Sequence, residues 1–191
     1  MLKLYGLTHS RALRCLWMLY EIDAPFELVR AHPDSPDFPE QINPNRKIPA
    51  LVDGSTVMWE SMAINLYLAQ THTTELSPRG RAELGDALNW TLWAQSELEE
   101  FFNKTETLNA VPPEWIRKTL GVLETTLQRR GYLMADRFTV ADLNVSCMFW
   151  GPVSNQLSFD GFPAAKRWRD AGWARPAAQR AIREAQDPAN L

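Results

Sequence analysis

Residues 46–61 read RKIPALVDGSTVMWES, which is the strongest structural signal in the chain. Two apolar runs, Ile48–Val52 and Thr56–Trp59, flank Asp53-Gly54, a dipeptide typical of tight hairpin turns. Apolar residues then recur at helical spacing from Ser61, a residue type that often begins a helix. The stretch therefore predicts a β-hairpin that leads directly into a helix.

The residues before this hairpin predict a strand, a helix and a second strand. Leu2–Tyr5 and Phe26–Val29 have strand-like composition, and apolar residues recur at helical spacing over 11–20. A proline-rich segment follows, with room for one short helix near Phe38–Ile42. The first crossover must be parallel, whereas the hairpin is antiparallel. The order βαβ-α-ββα therefore predicts an α+β domain with a mixed four-stranded sheet over residues 1–73.

Only helices are predicted after the linker THTTELSPRG, residues 71–80. Leucines step by four along a long amphipathic helix, at Leu84, Leu88 and Leu92. Prolines open three later helices, at Pro112-Pro113, Pro163 and Pro176. Residues 80–191 therefore predict an all-α helical bundle.

The sequence TVAD, Thr139–Asp142, resembles a capping box. Phe138 is placed to pack against Leu143, as in a hydrophobic staple. These signals predict a helix from here to about Trp150. Asp142 is expected to be a structural acid of the cap rather than a catalytic one.

Composition and cysteine spacing exclude several classes of function. The formal net charge is −3, and lysine and arginine are scattered, so nothing indicates a nucleic-acid or membrane partner. No apolar run approaches the roughly 20 residues of a membrane span, and no signal-peptide pattern follows Met1. Cys15 and Cys147 lie far apart, outside metal-ligand spacing, which predicts buried thiols and no metal. Together these features favour a cytoplasmic protein.

Pro49 allows two interpretations. Proline cannot donate to a strand ladder, so a strand could simply begin at residue 50. Alternatively, a cis Ile48–Pro49 bond would turn the backbone groups of Ile48 outward to pair with an extended peptide.

Glu60 and Ser61 also allow two interpretations. Ser61 could only cap its helix, with Glu60 as a solvated acid. However, Ile64 stands where a capping box needs Glu or Gln, which leaves the first-turn N–H groups to bind an outside carboxylate. Glu60 could then bind an amine on the same carbon, so the pair would hold an α-amino acid group.

Ser10 falls near the start of the first predicted helix. It could be a simple N-cap, or its hydroxyl could donate to a thiolate presented at the helix N-terminus. Lowering a thiol pKa by roughly two units from about 8.5 would make the thiolate dominant at neutral pH.

Three segments carry a resemblance: LYG with SRALR, NPNRKIPALVDG, and ESMAINLYL, followed by a helical region with TVAD. Over essentially the whole chain they resemble the cytosolic glutathione S-transferases, of a serine-type, bacterial-like kind. The resemblance implies a thioredoxin-like first domain and glutathione as co-substrate. It also implies a homodimer whose helical domain supplies most of the pocket for a small electrophile.

The resemblance assigns expected roles in binding glutathione. The backbone of Ile48, before cis Pro49, would pair with the cysteinyl residue, and Glu60 and Ser61 would hold the γ-glutamyl end. Lys47 matches a position that binds the glycyl carboxylate in some classes, or is a solvated lysine at a strand end.

Three residues compete to activate the thiol. Ser10 fits the serine-type spacing and is favoured. His9 occupies the position where other classes carry a cysteine or serine, and Tyr5 lies where tyrosine-type classes use a tyrosine. Neither cysteine matches a catalytic position, which disfavours a cysteine-type mechanism.

In the helical domain the resemblance suggests roles for two residues, Glu97 and Trp93. Glu97 could reach the γ-glutamyl amine from the partner subunit, although Glu99 and Glu100 compete and a solvated charged face is the alternative. Trp93 and Leu7 could line the pocket for the electrophile, unless Trp93 is a core residue.

The sequence thus predicts a glutathione transferase that acts in detoxification. A glutathione-dependent disulfide-bond reductase needs the same binding residues and is an alternative. A transferase-like binding module without turnover is the other, although retention of Lys47, Glu60 and Ser61 argues against it.

Overall fold

A computed structural model describes residues 1–35, 38, 40–72, 74–105, 107, 110–151 and 154–187. The chain divides into two compact units, Met1–Thr74 with Arg175–Leu191, and Glu75–Ala174. The first boundary lies in the predicted linker. The predicted second domain, 80–191, differs from the observed unit because the last helix packs with the first unit instead.

The first unit contains the predicted mixed sheet. Its elements before the linker are β1 (Leu2–Tyr5), α1 (Ala12–Glu21), β2 (Phe26–Val29), β3 (Ala50–Asp53), β4 (Thr56–Trp59) and α2 (Ser61–Thr71). The strand order is β2-β1-β3-β4, with β1 parallel to β2 and both other pairs antiparallel. This confirms the expected four-stranded topology.

Helix α1 is the central helix of this unit. It packs against α2 and against α8 (Pro176–Gln186), the last helix of the described residues. Leu16, Trp17 and Leu19 of α1 are fully buried. Because α8 covers α1, the end of the chain completes the core of the first unit.

Hydrogen bonds and an ion pair between polar side chains join α8, and Arg175 just before it, to α1. Arg175 binds the Glu21 carboxylate through two nitrogens, at 2.5 and 2.7 Å, and Trp17 Nε1 donates to the same carboxylate at 2.8 Å. Tyr20 Oη donates to Glu184 at 2.5 Å. Burial, and then this hydrogen bond, raises the pKa of Tyr20 above its ordinary value. Charge-assisted bonds of this kind are among the stronger hydrogen bonds in proteins.

The described residues between β2 and β3 form turns, without the short helix predicted at Phe38–Ile42; residue 39 lies outside them. Four prolines in 33–44 remove the backbone donors that a helix would need. Arg46 binds this segment instead: Nη2 donates to the carbonyls of Pro33 and Ser35, at 3.0 and 3.1 Å.

The secondary-structure elements in the described residues of the second unit are all helices, as predicted. It contains α3 (Gly80–Trp93), a π-helical segment (Ala94–Glu99), α4 (Glu100–Lys104), α5 (Pro113–Arg130), α6 (Val140–Ser146) and α7 (Pro163–Trp173). The helix expected to run to about Trp150 is α-helical through Ser146 and continues as a 3-10 turn, Cys147–Phe149.

Asp142 has the structural role that the capping box predicts. Its Oδ2 accepts from the Thr139 N–H at 2.9 Å and from the Thr139 hydroxyl at 2.8 Å. Its Oδ1 accepts from the Leu133 N–H at 3.0 Å and from Trp168 Nε1 at 2.8 Å. Four donors to one buried carboxylate therefore join the start of α6 to α7 and to the chain before it.

The described residues contain neither a membrane-spanning helix nor a metal cluster. No helix there is long and apolar enough to cross a membrane. No group of three or more His, Cys, Asp or Glu there could hold a metal ion. Cys15 and Cys147 are both buried thiols, as the sequence predicted.

Candidate functional site

The loop between β1 and α1 places Ser10 just before the first turn of α1. Ser10 Oγ donates to the carbonyl of Leu7 at 2.7 Å and accepts from the backbone N–H of Ala12 at 3.1 Å. The hydroxyl must be the donor in the first bond because a carbonyl oxygen carries no hydrogen. Ser10 Oγ thus accepts from an N–H at the start of α1 while its hydroxyl hydrogen is donated to the Leu7 carbonyl.

Close packing fixes the path of this loop. A side chain at Gly6 would place its Cβ 2.6 Å from the Cβ of Ala12, so no other residue fits without a shift. Thr8 is buried, and its hydroxyl has no hydrogen-bond partner within the described part of the chain. Sequence reasoning missed Thr8, because a threonine in a loop carries no distinctive signal.

The other candidates in this loop differ in exposure. His9 is exposed, whereas Tyr5 and Leu7 are half-buried. Tyr5 ends β1 and pairs with Val29 of β2. The three residues that compete to activate the thiol thus lie at the end of β1 and in the loop that follows it.

Ile48 and Pro49 lead into β3. The peptide bond between them is cis, and β3 begins at Ala50. The cis bond and the strand start at residue 50 are thus both observed, whereas pairing of the Ile48 backbone with an extended peptide stays a prediction. Pro49 is buried and Ile48 is half-buried.

Lys47 is exposed and its backbone is held by a buried asparagine. Asn43 Nδ2 donates to the Lys47 carbonyl at 2.8 Å, and Asn43 Oδ1 accepts from the Asn45 N–H at 2.9 Å. Asn43 thus closes the turn that presents Lys47 and Ile48. The Asn-Pro pair at 43–44 signals a turn, but a sequence does not show which carbonyl the amide binds.

The connection between β4 and α2 consists of Glu60 alone. Glu60 is the N-cap residue of α2, with φ 69° and ψ 113°, and no side-chain hydrogen bond caps this helix in the described structure. Ser61 is therefore the first helical residue rather than the cap that the sequence suggested. The exposed Glu60 carboxylate thus lies beside the N-terminus of α2. A helix N-terminus favours bound anions.

Two neighbouring residues of α1 contact Ser61. Arg14 Nη1 donates to Ser61 Oγ at 3.2 Å, and the Cys15 thiol donates to the Ser61 carbonyl at 3.6 Å. Ser61 is only 5% exposed. Sequence reasoning included Arg14 in a motif without assigning it a role, because its acceptor lies 47 residues further along the chain.

The remaining candidates lie in the second unit. Trp93 ends α3, and its ring meets that of Trp90 edge-on, with the centroids 5.3 Å apart. Glu97 is exposed in the π-helical segment, and Glu99 is buried. Glu100, the other competitor, forms an ion pair with Lys104 at 2.5 Å.

The first unit thus combines two kinds of chemical group. A rotatable hydroxyl lies at the start of α1, and an acid followed by a hydroxyl lies at the start of α2. Hydroxyls and helix N-termini stabilise anions, including thiolates, whereas a carboxylate binds an ammonium. The arrangement suits a ligand that carries an α-amino acid group and a thiol.

Comparisons with known proteins agree with this chemistry. The family model described as "Glutathione S-transferase, N-terminal domain" matches residues 1–70, and "Glutathione S-transferase, C-terminal domain" matches 93–176. Glutathione S-transferase 3 of Zea mays is 33% identical, with 95% of this chain and 93% of that protein covered.

Two further similar proteins are connected with different chemistry, a glutathione conjugate in one case and disulfide bonds in the other. Ure2p5 of Phanerochaete chrysosporium, cocrystallised with 1-(S-glutathionyl)-2,4-dinitrobenzene, has a TM-score of 0.80 and 26% identity over 96% of this chain and 94% of its own. Disulfide-bond oxidoreductase YfcG of Escherichia coli strain K12 is 29% identical, with 76% of each chain covered.

Proposed function

Because the chain belongs to the glutathione S-transferase family, we propose that Ser10 activates glutathione in its transferase reaction. The observation that carries this proposal is the Ser10 hydroxyl, hydrogen-bonded at the start of α1. A hydroxyl beside a helix N-terminus lowers the pKa of a thiol presented there.

The proposed reaction needs one rotation and one displacement. The Ser10 hydroxyl leaves the Leu7 carbonyl and donates to the sulfur of bound glutathione, whose proton passes to water. The thiolate then forms a carbon–sulfur bond with a small, largely apolar electrophile, and the leaving group departs with its electron pair. Proximity and thiolate stabilisation supply the rate enhancement.

The proposed binding contacts follow the chemistry of the tripeptide. Glu60 binds the γ-glutamyl ammonium, and Ser61 with the N-terminus of α2 binds the γ-glutamyl carboxylate. The backbone of Ile48, before Pro49, pairs with the cysteinyl residue. Lys47 binds the glycyl carboxylate, supported by the exposed position of its side chain.

Calorimetric titration with glutathione, combined with the thiolate absorbance of the complex against pH, tests Ser10. Wild type should show a bound-thiol pKa about two units below the usual value of about 8.5, whereas Ser10→Ala should bind with that shift largely lost. His9→Ala and Tyr5→Phe, titrated in parallel, should keep the low pKa. A low pKa in Ser10→Ala, with the shift lost in either other variant, would transfer the role to that residue.

The proposed partner is a second copy of this chain. Leu84, Leu88 and Leu92 form an apolar stripe along α3, exposed by 36%, 44% and 65%. An apolar stripe on one helix is typical of a subunit interface. In the proposed homodimer Glu97 reaches the γ-glutamyl amine of the partner's site, and Leu7 and Trp93 contact the electrophile. A cytoplasmic role in detoxification completes the proposal.

Similarity to YfcG supports disulfide reduction as a second candidate activity. Glutathione thiolate would then attack a disulfide sulfur, and a second glutathione would resolve the mixed disulfide, giving oxidised glutathione and two thiols. Rates with 1-chloro-2,4-dinitrobenzene and with 2-hydroxyethyl disulfide, at equal glutathione concentration, separate the two. Turnover of the aryl halide favours the transferase, whereas turnover of the disulfide alone favours the reductase.

A further inference from the structure

We propose that Arg14 is a positioning residue for the γ-glutamyl carboxylate of glutathione and that it acts through the hydroxyl of Ser61. This inference rests on the proposed function, because it concerns how the same site holds its ligand. Arg14 would contact Ser61 and not the ligand.

The direction of the Arg14–Ser61 bond determines what the hydroxyl can do. A guanidinium only donates, so Ser61 Oγ accepts from Arg14 Nη1 over their 3.2 Å separation. The single hydroxyl hydrogen of Ser61 must then point away from Arg14. Arg14 thereby orients the Ser61 hydroxyl as a donor toward any other acceptor.

The position of Ser61 is fixed at its backbone as well. The Cys15 thiol, fully buried on α1, donates to the Ser61 carbonyl at 3.6 Å. This is a weak bond, because a thiol is a poor donor. Two consecutive residues of α1 therefore hold Ser61 at both its hydroxyl and its carbonyl.

Charge adds to the orientation. The Arg14 guanidinium is a cation and is half-buried, so its charge is less screened by salt than on an open surface. A carboxylate bound by the Ser61 hydroxyl would be separated from this cation only by that hydroxyl. It would also lie beside the positive end of the α2 dipole. Hydrogen bonds to charged groups are stronger than neutral ones.

The same helix would then serve both ends of the ligand. Ser10 lies at the start of α1 and Arg14 lies within its first turns. Any shift of α1 would move the hydroxyl proposed for the thiolate together with the guanidinium that orients Ser61. This placement explains why an arginine stands on a helix that is otherwise almost entirely buried.

Calorimetric affinities for two ligands test the proposal. One ligand is glutathione, and the other is 4-aminobutyryl-cysteinylglycine, which lacks only the γ-glutamyl α-carboxylate. Arg14→Met should weaken glutathione binding about tenfold and change binding of the analogue less than about twofold. The double variant Arg14→Met with Ser61→Ala should bind glutathione within about twofold of Ser61→Ala alone, because the two residues act as a unit.

Arg183→Met is the matched control, since Arg183 is an exposed arginine of the same unit, on α8. It should bind both ligands as wild type does. Arg14→Gln, which removes the charge but keeps a polar side chain, replaces Arg14→Met if circular dichroism shows the latter unfolded, and it should lose affinity for glutathione selectively too.

Equal weakening of both ligands would overturn the proposal, as would additive effects of the two substitutions, because either result makes Arg14 a packing residue. Unchanged glutathione affinity in a folded Arg14 variant would overturn it too. A wild-type protein that does not bind glutathione would instead contradict the proposed function itself.

Discussion

Glu60 holds a backbone conformation that few residues other than glycine adopt. With φ 69° and ψ 113° it joins β4, which ends at Trp59, to α2, which begins at Ser61. Such conformations cost on the order of 1–3 kcal/mol and cluster at functional sites. Glycine would be the usual signal for this turn, so the sequence predicted the direct strand-to-helix connection but not its strain.

Two substitutions at Glu60 should separate strain from function. Glu60→Gly should unfold with a free energy about 1 kcal/mol higher than Glu60→Ala, because only glycine tolerates a positive φ without a Cβ clash. Both should bind glutathione more weakly than wild type, since both lack the carboxylate proposed for the ammonium. Urea unfolding and calorimetry measure the two effects, and equal stability of the variants would contradict the strain.

Arg137, which lies in the loop before α6, contacts the linker and α3, and no hydrophobic pattern in the sequence indicates these contacts. Arg137 donates to the carbonyls of Glu75 and Ser77, at 2.9 and 2.8 Å, and binds the Glu83 carboxylate with both terminal nitrogens, at 3.2 and 2.7 Å. It thus ties the linker to the first turn of α3. The hydrogen bond from Arg137 lowers the pKa of Glu83 below its ordinary value of 4.5.

The pKa of Glu83 predicts a specific dependence of stability on pH. A depressed carboxyl pKa stabilises the fold above the unfolded-state pKa, and this contribution is lost as pH falls through the folded-state value. At pH 7, Glu83→Gln should lower the free energy of unfolding by about 1–2 kcal/mol. The difference should shrink below about pH 4.5 and disappear in stronger acid.

Urea unfolding of both proteins across the acid range checks this dependence. Asp160→Asn, at an exposed position outside the helices, is the control and should leave the free energy of unfolding nearly unchanged at pH 7. A difference between wild type and Glu83→Gln that persists unchanged in strong acid would show that packing, and not charge, makes the contribution.

Elements with a local signal were predictable, and those that depend on distant partners were not. The Asp53-Gly54 hairpin and the Thr139–Asp142 cap were read correctly, because turn and cap residues act within a few positions. The described residues of Phe38–Ile42 form turns rather than the expected helix, and Arg46 binds the carbonyls of Pro33 and Ser35 just before them. The role of Asn43 was not predictable either, because its side-chain amide donates to the backbone carbonyl of Lys47, and a sequence does not show such a contact.

The two units carry different residues of the proposed function. The first carries Ser10, Ile48, Glu60 and Ser61, and the second carries the exposed leucine stripe of α3. The sequence predicted that stripe as one helix face but could not show that it stays exposed. Three exposed leucines on one face form the surface that the proposed homodimer would bury.

Leu88→Lys should therefore convert the proposed dimer to a monomer. Leu88 lies at the centre of the stripe. In a two-fold symmetric interface the substitution introduces two lysines, one from each subunit, into the apolar contact. Sedimentation velocity at micromolar concentration should show half the wild-type mass, with unchanged circular dichroism.

Val122→Lys places the same charge at an exposed apolar residue of α5, 39% exposed, outside the stripe. It should sediment as wild type. A monomeric wild type, or a Leu88→Lys protein that remains dimeric, would refute the stripe as the dimer interface.

The return of α8 to α1 has a consequence for biosynthesis. The second unit is one continuous stretch, Glu75–Ala174, whereas the first unit is assembled from both ends of the chain. Domains generally fold during translation in the order in which they are completed. The first unit lacks its closing helix until Pro176–Gln186 has been synthesised, whereas every residue of the helical unit has been synthesised before that helix.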